Sequence, residues 1–153
     1  MKLWTETTSV DGKKIEKAVM ATVEEMIENI DRKVLSRGVR AMNALRNAEI
    51  NVLKGQRSGR VYRVPYSKKT YTASAPGESP ARRTGALRLH WNGDVKARNT
   101  SRGIKVTSVL ESCEEYASAL ENGTSKMAPR PFVEKIKEKA MPEIQRIYNE
   151  PYT

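Results

Sequence analysis

The chain has 153 residues, of which 38% are hydrophobic and 30% charged, a balance that predicts one domain with a modest core and a wet or partner-facing surface. A single cysteine excludes an intramolecular disulfide, and no run of about 18 apolar residues is present to predict a membrane span. The first residues hold no apolar stretch of signal-peptide length, so we expect no export signal and assembly in the cytoplasm.

Residues 11–53 carry one helical pattern, and Asp11 is placed to cap its start. Apolar residues recur every three or four positions: Ile15, Val19, Val23, Met26, Ile30 and Val34. Gly38 is the weak point, since a glycine inside a helix costs about 1 kcal/mol relative to alanine, and a kink or break at residues 36–38 is the alternative. So long a helix cannot bury its whole stripe on a small domain. This favours packing on another subunit, with an ordinary core-facing helix as the other interpretation.

Residues 54–75 form an extended basic segment in which apolar or aromatic residues alternate with polar ones. Pro65 indicates an edge or a bulge, and residues 67–69 a turn. The stretches belong either to the main sheet or to a separate arm. Basic and aromatic alternation fits a groove for nucleic acid, but also a half-buried strand with a solvated face. The candidate contacts to DNA or an acidic partner are Arg57, Arg60, Arg63, Lys68 and Lys69.

The net charge of +10 comes from the middle of the chain. Residues 54–105 contain thirteen Lys or Arg against only Glu78 and Asp94. Such a patch can track phosphates, meet acidic neighbours in an assembly, or simply be solvated, and composition leaves all three open.

Residues 75–93 begin with a Pro-Gly turn and continue to a short predicted helix. Thr84 is placed to cap it, Leu87 and Trp91 share one face, and Gly93 is placed to end it. A phosphate-binding loop is the competing interpretation. We reject it because no Gly-Lys-Ser/Thr ending and no acidic metal partner follow.

An antiparallel hairpin is predicted next, with strands at residues 94–98 and 103–109 and a loop at residues 99–103. Val95 and Ala97 should share a face with Ile104, Val106 and Ser108. A short helix over residues 114–120 follows, and Gly123 is predicted to close it in a left-handed conformation.

The last predicted element is a helix that starts with Pro131 as its first residue. Its apolar stripe steps by four: Phe132, Ile136, Ala140, Ile144 and Tyr148. Pro142 should kink this helix or start a second one. The predicted fold class is therefore α+β: a long N-terminal helix, a small antiparallel β-sheet with a hairpin, short helices and a C-terminal helix in a single domain over residues 1–153.

Tests for chemistry in the sequence give no catalytic, cofactor or metal site. His90 is the only histidine and Cys113 the only cysteine, so neither zinc spacing nor a nucleophile with its base is recognisable. A carboxylate cluster around Glu114 and Glu115 is better explained as a helix start, where negative charge suits the dipole. We expect no enzyme.

Two short motifs have no catalytic interpretation. Between them they combine apolar anchor residues, a carboxylate and turn residues. The first supplies Arg83, Thr84, Gly85 and Leu87. The second supplies Tyr116, Glu121, Gly123, Thr124, Met127, Arg130, Pro131 and Phe132. In this order they resemble the signature of the head-tail joining and tail-completion proteins of long-tailed bacteriophages.

The resemblance implies a structural virion protein rather than an enzyme. Members of that family sit at the neck, between the connector on the portal side and the tail-terminator or tail-tube proteins, as homo-oligomeric rings through which DNA passes. It further implies a location in the virion neck, with Glu121 and Arg130 as candidates for an ion pair within or between subunits. The alternative function is a nucleic-acid-binding protein that uses the basic patch of residues 54–105.

Overall fold

The computed structural model describes residues 11–152 and has a mixed α+β architecture, as predicted. A long helix, α1 (Gly12–Lys54), is followed by the strands β1 (Val61–Arg63) and β2 (Thr70–Thr72). Next come the short helix α2 (Ala86–Leu89) and the strands β3 (Trp91–Thr100) and β4 (Gly103–Ser112). The chain ends with α3 (Ala117–Asn122) and α4 (Val133–Tyr148).

Helix α1 runs without a break through Gly38, so the alternative of a break at residues 36–38 is wrong. The glycine is present because the β3–β4 hairpin lies against it: a Cβ at this position would overlap Val106 and come within 3.1 Å of Val95 Cγ1. The Ser108 hydroxyl donates a hydrogen bond of 2.6 Å to the Gly38 carbonyl. Asp11 caps the helix as predicted, with its Oδ1 accepting from the Lys13 N–H at 3.2 Å.

The two halves of α1 differ in their surroundings. Every residue from 11 to 30 is exposed, whereas the second half buries one face against α4 and the β3–β4 hairpin. That buried face is rich in small residues, which allow close approach: Arg37, Gly38, Ala41, Ala44, Ala48, Glu49 and Leu53. We call residues 12–31 the α1 arm; at about 1.5 Å per residue it is roughly 30 Å long.

The chain end fastens α1 at the base of this arm. Arg37 is only 4% exposed, although it is charged. Its guanidinium donates to the carbonyls of Tyr148, Glu150 and Pro151, and it stacks 3.6 Å from the ring centroid of Tyr152. Arg40 forms a two-bonded ion pair with the Glu150 carboxylate at 2.5 and 2.6 Å. No local pattern in the sequence indicates this clamp.

The predicted strands are present, but as two separate two-stranded antiparallel sheets. In the first, Tyr62 pairs with Tyr71 and their rings stack with centroids 5.9 Å apart. Pro65 lies in the connecting turn, which a 2.9 Å bond from the Val64 N–H to the Lys69 carbonyl closes.

The second sheet corrects the predicted hairpin boundaries. Its strands are ten residues each, and only residues 101–102 form the turn, so the five-residue loop at 99–103 is wrong. The predicted face is confirmed, because Val95 lies opposite Ser108 and Ala97 opposite Val106. Both strands are longer than predicted because their backbone pairing continues up to the two-residue turn. One face of the hairpin packs on α1, which supports this extended pairing.

Helix α2 is also shorter than predicted. It ends at Leu89, and Trp91 already begins β3. Gly93 is therefore a strand residue and not a helix end; it pairs with Leu110 and leaves room for the Met42 side chain of α1, which a Cβ would overlap.

Helix α4 begins after Phe132, so Pro131 lies outside it and not at its first position. Pro142 lies inside the helix and neither ends nor divides it, so the predicted start of a second helix at this residue is wrong. A stripe that steps by four drifts by about 40° per step, because an α-helix has 3.6 residues per turn. Ile147 is consequently buried in place of Tyr148.

The core lies where α1, α4 and the two motifs meet. Its buried members are Ala48, Leu53, Phe132, Ile136 and Ala140. Phe132, the only phenylalanine, packs edge-on against Trp91 with ring centroids 6.2 Å apart. Burial of such a pair removes a large apolar area from water and anchors both motifs to α1.

Candidate assembly surface

The two motifs, about thirty residues apart in sequence, line one cavity of about 660 Å³. The first motif contributes Arg83, Thr84, Gly85 and Leu87, and the second Tyr116, Met127 and Arg130. Further lining comes from Leu53, the two stacked tyrosines, and Arg82 and Arg88. Within the described part of the chain, no Asp or Glu is among the lining residues, so this space, which we call the motif cavity, is basic and aromatic.

Glu121 acts on the backbone of its own chain. One carboxylate oxygen, Oε2, accepts from the Phe132 N–H at 2.8 Å and from the Val133 N–H at 3.2 Å. These are among the first amides of α4, which lack partners inside the helix. Glu121 therefore takes the role that a side chain at the N-cap position usually has, from eleven residues upstream.

Arg130 also bonds within its chain and does not pair with Glu121. Its Nη1 donates to both the carbonyl and the hydroxyl oxygen of Ser74, a residue only 4% exposed. Its backbone N–H donates to the Leu120 carbonyl at 2.8 Å. The Glu121–Arg130 ion pair is thus not formed within the chain. Arg130 instead joins the segment after β2 to the end of α3.

The Gly123 turn connects these contacts. Gly123 has φ 77° and ψ 177°, so φ is positive as predicted, whereas ψ departs from the left-handed helical value. A Cβ there would lie 2.8 Å from the Met127 carbonyl oxygen and from the Pro129 nitrogen. The Thr124 N–H donates to that same Met127 carbonyl at 2.8 Å. Only glycine fits this turn without strain.

The first motif builds the opposite wall. Gly85 is buried with φ 92° and occupies the N-cap position of α2. The predicted N-cap at Thr84 is wrong, because Gly85 takes that position; Thr84 lies one residue before it, and its Oγ1 accepts from the Ala86 N–H at 3.3 Å. Leu87 packs against the core, and its carbonyl accepts the Trp91 indole N–H.

The basic candidates divide into structural and exposed groups. Arg57 is half-buried and donates to the carbonyls of Val52, Gln56 and Pro80, so its guanidinium fixes the chain after α1; burial lowers its pKa from the ordinary value. The other four are exposed and lie on or beside the β1–β2 hairpin: Arg60, Arg63, Lys68 and Lys69.

Glu78 is a residue that the sequence analysis did not single out. Its carboxylate accepts from the Ser58 hydroxyl, from the Ser58 N–H at 3.0 Å and from the Ala75 N–H at 2.9 Å. These hydrogen bonds, with that of the Ser58 hydroxyl the strongest, lower the pKa of Glu78 to about 2. The base of the β1–β2 hairpin is therefore closed by one of the two acids in the basic patch.

Glu49 is fully buried beside the motif walls. Its Oε2 pairs with Arg46, while Oε1 has no hydrogen-bond partner among the described residues. Burial raises the pKa of Glu49 to about 7, although Arg46 and Arg88 act in the opposite direction. No periodicity in the sequence marked this position as ionisable and buried.

His90 and Cys113 do not form a nucleophile and its base. The His90 Nδ1 contacts the Glu114 carboxylate, and the two residues are exposed and half-buried, respectively. Cys113 is exposed and contacts His90 only through the backbone, its N–H donating to the His90 carbonyl at 2.9 Å. Among residues 11–152, no three His, Cys, Asp or Glu side chains cluster as a metal site would require.

The α1 arm carries an exposed apolar surface. Seven of its large apolar side chains are between 43% and 60% exposed: Ile15, Val19, Met20, Val23, Met26, Ile27 and Ile30. Contiguous apolar patches of this kind mark interaction sites on soluble proteins. No helix in residues 11–152 is both long and apolar enough to cross a membrane.

No protein-family model, curated protein or solved structure matches this chain.

Proposed function

We propose that this protein is a structural virion protein that completes the tail end of a long-tailed bacteriophage and joins it to the DNA-filled head, assembling as a ring in the neck. The observation that carries the proposal is the convergence of the two motifs on the motif cavity. Glu121 and Arg130 have backbone partners there. The motifs therefore set the shape of a surface instead of supplying a reacting group, and we assign the protein no enzymatic activity.

The two ends of the molecule support an assembly role. A ring with one kind of subunit needs two different faces that close on each other. The exposed apolar stripe of the α1 arm offers one face and the motif cavity the other. In this proposal the remaining surfaces meet the neighbouring neck connector and the tail-terminator or tail-tube proteins, and exposed cations of the β1–β2 hairpin, such as Lys68 and Lys69, face the DNA channel.

The test is a joining reaction with tails that lack this protein. Light scattering measures the mass of the purified protein alone and after mixing with such tails, and filled heads are then added. We expect the protein to bind the tail end and to restore joining. Intact protein that neither binds tails nor restores joining would contradict the proposal.

A second candidate function, nucleic-acid binding through residues 54–105, is favoured by one observation. Arg98 lies directly opposite Lys105 in the β3–β4 ladder, and like charges so placed are destabilising unless an anion compensates them. Together with the stacked Tyr62 and Tyr71, these residues offer cations and aromatic rings. Duplex or single-stranded DNA binding by a monomer, with affinity falling steeply as salt rises, would favour this function over the connector.

A further inference from the structure

The α1 arm has an acidic edge beside its apolar stripe. With 3.6 residues per turn, Glu24, Glu28 and Asp31 follow one another at spacings of four and three and form a single row. Met20 and Ile27 lie directly alongside that row on the same calculation. Between residues 18 and 31 the sequence contains no Lys or Arg. We call these three carboxylates the acidic row.

The acidic row has no side-chain partner among the described residues of its own chain. Among residues 11–152, none of its three carboxylates makes an ion pair or accepts a side-chain hydrogen bond. The nearest cations in sequence are engaged elsewhere: Arg32 donates to the Glu28 carbonyl, and Lys33 to the Tyr152 carbonyl. The row is thus available to a partner that brings positive charge.

The motif cavity has the opposite character. Arg82, Arg83 and Arg88 line it, and within the described residues their side chains form no ion pair. Beside these arginines lie apolar lining residues, including Leu87 and Tyr116. An apolar recess edged by unpaired cations is therefore present on the same molecule as an apolar stripe edged by unpaired anions.

We infer that the α1 arm of one copy docks on the motif cavity of a second copy, with the acidic row facing Arg82 and Arg83. The contact pairs an apolar surface with an apolar surface, so that both are removed from water. It also pairs carboxylates with guanidinium groups, which fixes how the arm is oriented on the cavity. Arm and cavity are different surfaces, so the contact is heterologous, and each copy gives one arm and receives one. The inference rests on the proposed function in that it names the contact by which the ring would close.

Charge reversal tests this contact in the full-length protein. E24K/E28K reverses the acidic row and R82E/R83E reverses the cavity edge; all four residues are exposed, so the fold should be retained. By sedimentation velocity, we expect each variant to weaken self-association by at least about tenfold and the chain carrying both sets to recover it. Matched controls are T22K, an exposed position about 160° around the helix from Glu24, and R98E/R102E, at the end of the β3–β4 hairpin.

Cysteine cross-linking gives a second measurement. In a Cys113→Ser background, we expect Glu28→Cys chains mixed with Arg83→Cys chains to form disulfide-linked dimers. Disulfides between two Glu28→Cys chains that persist with R82E/R83E would mean arm-to-arm packing and would overturn the inference. Wild-type protein that stays monomeric at millimolar concentration and forms no mixed disulfide would also overturn it.

The joining reaction separates this inference from the proposed function. If E24K/E28K still restores joining as the wild type does, the contact is wrong and the connector function stands. If charge reversal behaves as expected in sedimentation, but wild-type protein does not join heads to tails, the contact stands and the connector function is wrong.

Discussion

The Glu121 carboxylate lies 2.8 Å from the Phe132 backbone nitrogen, and this contact fixes the start of α4 to the end of α3. Because Phe132 is buried against Trp91, the same contact positions the aromatic pair that anchors the motifs to α1. A residue that the resemblance offered as an ion-pair partner is thus a helix cap in this molecule.

Glu121→Ala should destabilise the protein by about 1–2 kcal/mol, since it leaves the first amides of α4 without an acceptor. Glu121→Gln keeps one acceptor oxygen and should therefore lose less stability than Glu121→Ala. Urea unfolding followed by circular dichroism measures both. Equal stabilities for wild type and Glu121→Ala would show that the cap contributes nothing.

Gly38→Ala should destabilise by about 1–3 kcal/mol, although alanine is the better helix former, because the new methyl group would overlap Val106. Gly12→Ala is the matched control: a Cβ there meets nothing within 4 Å. The control should be neutral or stabilising by up to about 1 kcal/mol. If both variants gained stability, the β3–β4 hairpin would not lie against Gly38.

Stability should fall as pH rises through the titration of Glu49. Its pKa is raised from 4.5 unfolded to about 7 folded, so the folded state binds more protons between these values. The stability that protonated Glu49 contributes is fully present below pH 4.5 and is lost as the pH rises above about 7. Glu49→Gln should remove this slope and stabilise the protein at pH 8 by about 1–3 kcal/mol. Parallel stability curves of the two proteins between pH 5 and 8 would contradict the prediction.

Arg37→Ala should cost about 2–4 kcal/mol, because three carbonyls at the chain end lose a buried charged donor. Arg32→Ala, which removes only an exposed bond within α1, should stay within about 0.5 kcal/mol. Hydrogen exchange of residues 148–152 should accelerate in the first variant alone. Unchanged exchange there would mean that Arg37 does not hold the chain end.

Local periodicity predicted the elements well where one interaction dominates. The apolar spacing of residues 15–34 and the Asp11 cap indicated α1, and alternation indicated both hairpins. The predictions were wrong where contacts between segments far apart in the sequence determine the length or the type of an element. The β3–β4 strands lengthen because they pair fully and lie on α1 at Gly38, and Gly93 is a strand residue because Met42 needs the space.

The candidate site was predictable in its residues but not in its geometry. The motifs named seven of the eighteen residues that line the motif cavity, yet nothing in their spacing placed Arg130 on Ser74 or Glu121 on Phe132. The Arg37 clamp joins segments more than one hundred residues apart, which no local pattern reports.

The most direct measurement is the joining reaction with tails that lack this protein, followed by light scattering and by counting joined particles. We expect the wild-type protein to bind the tail end and to restore joining to filled heads. Folded protein that ignores tails, restores no joining and binds DNA as a monomer with steep salt dependence would contradict it.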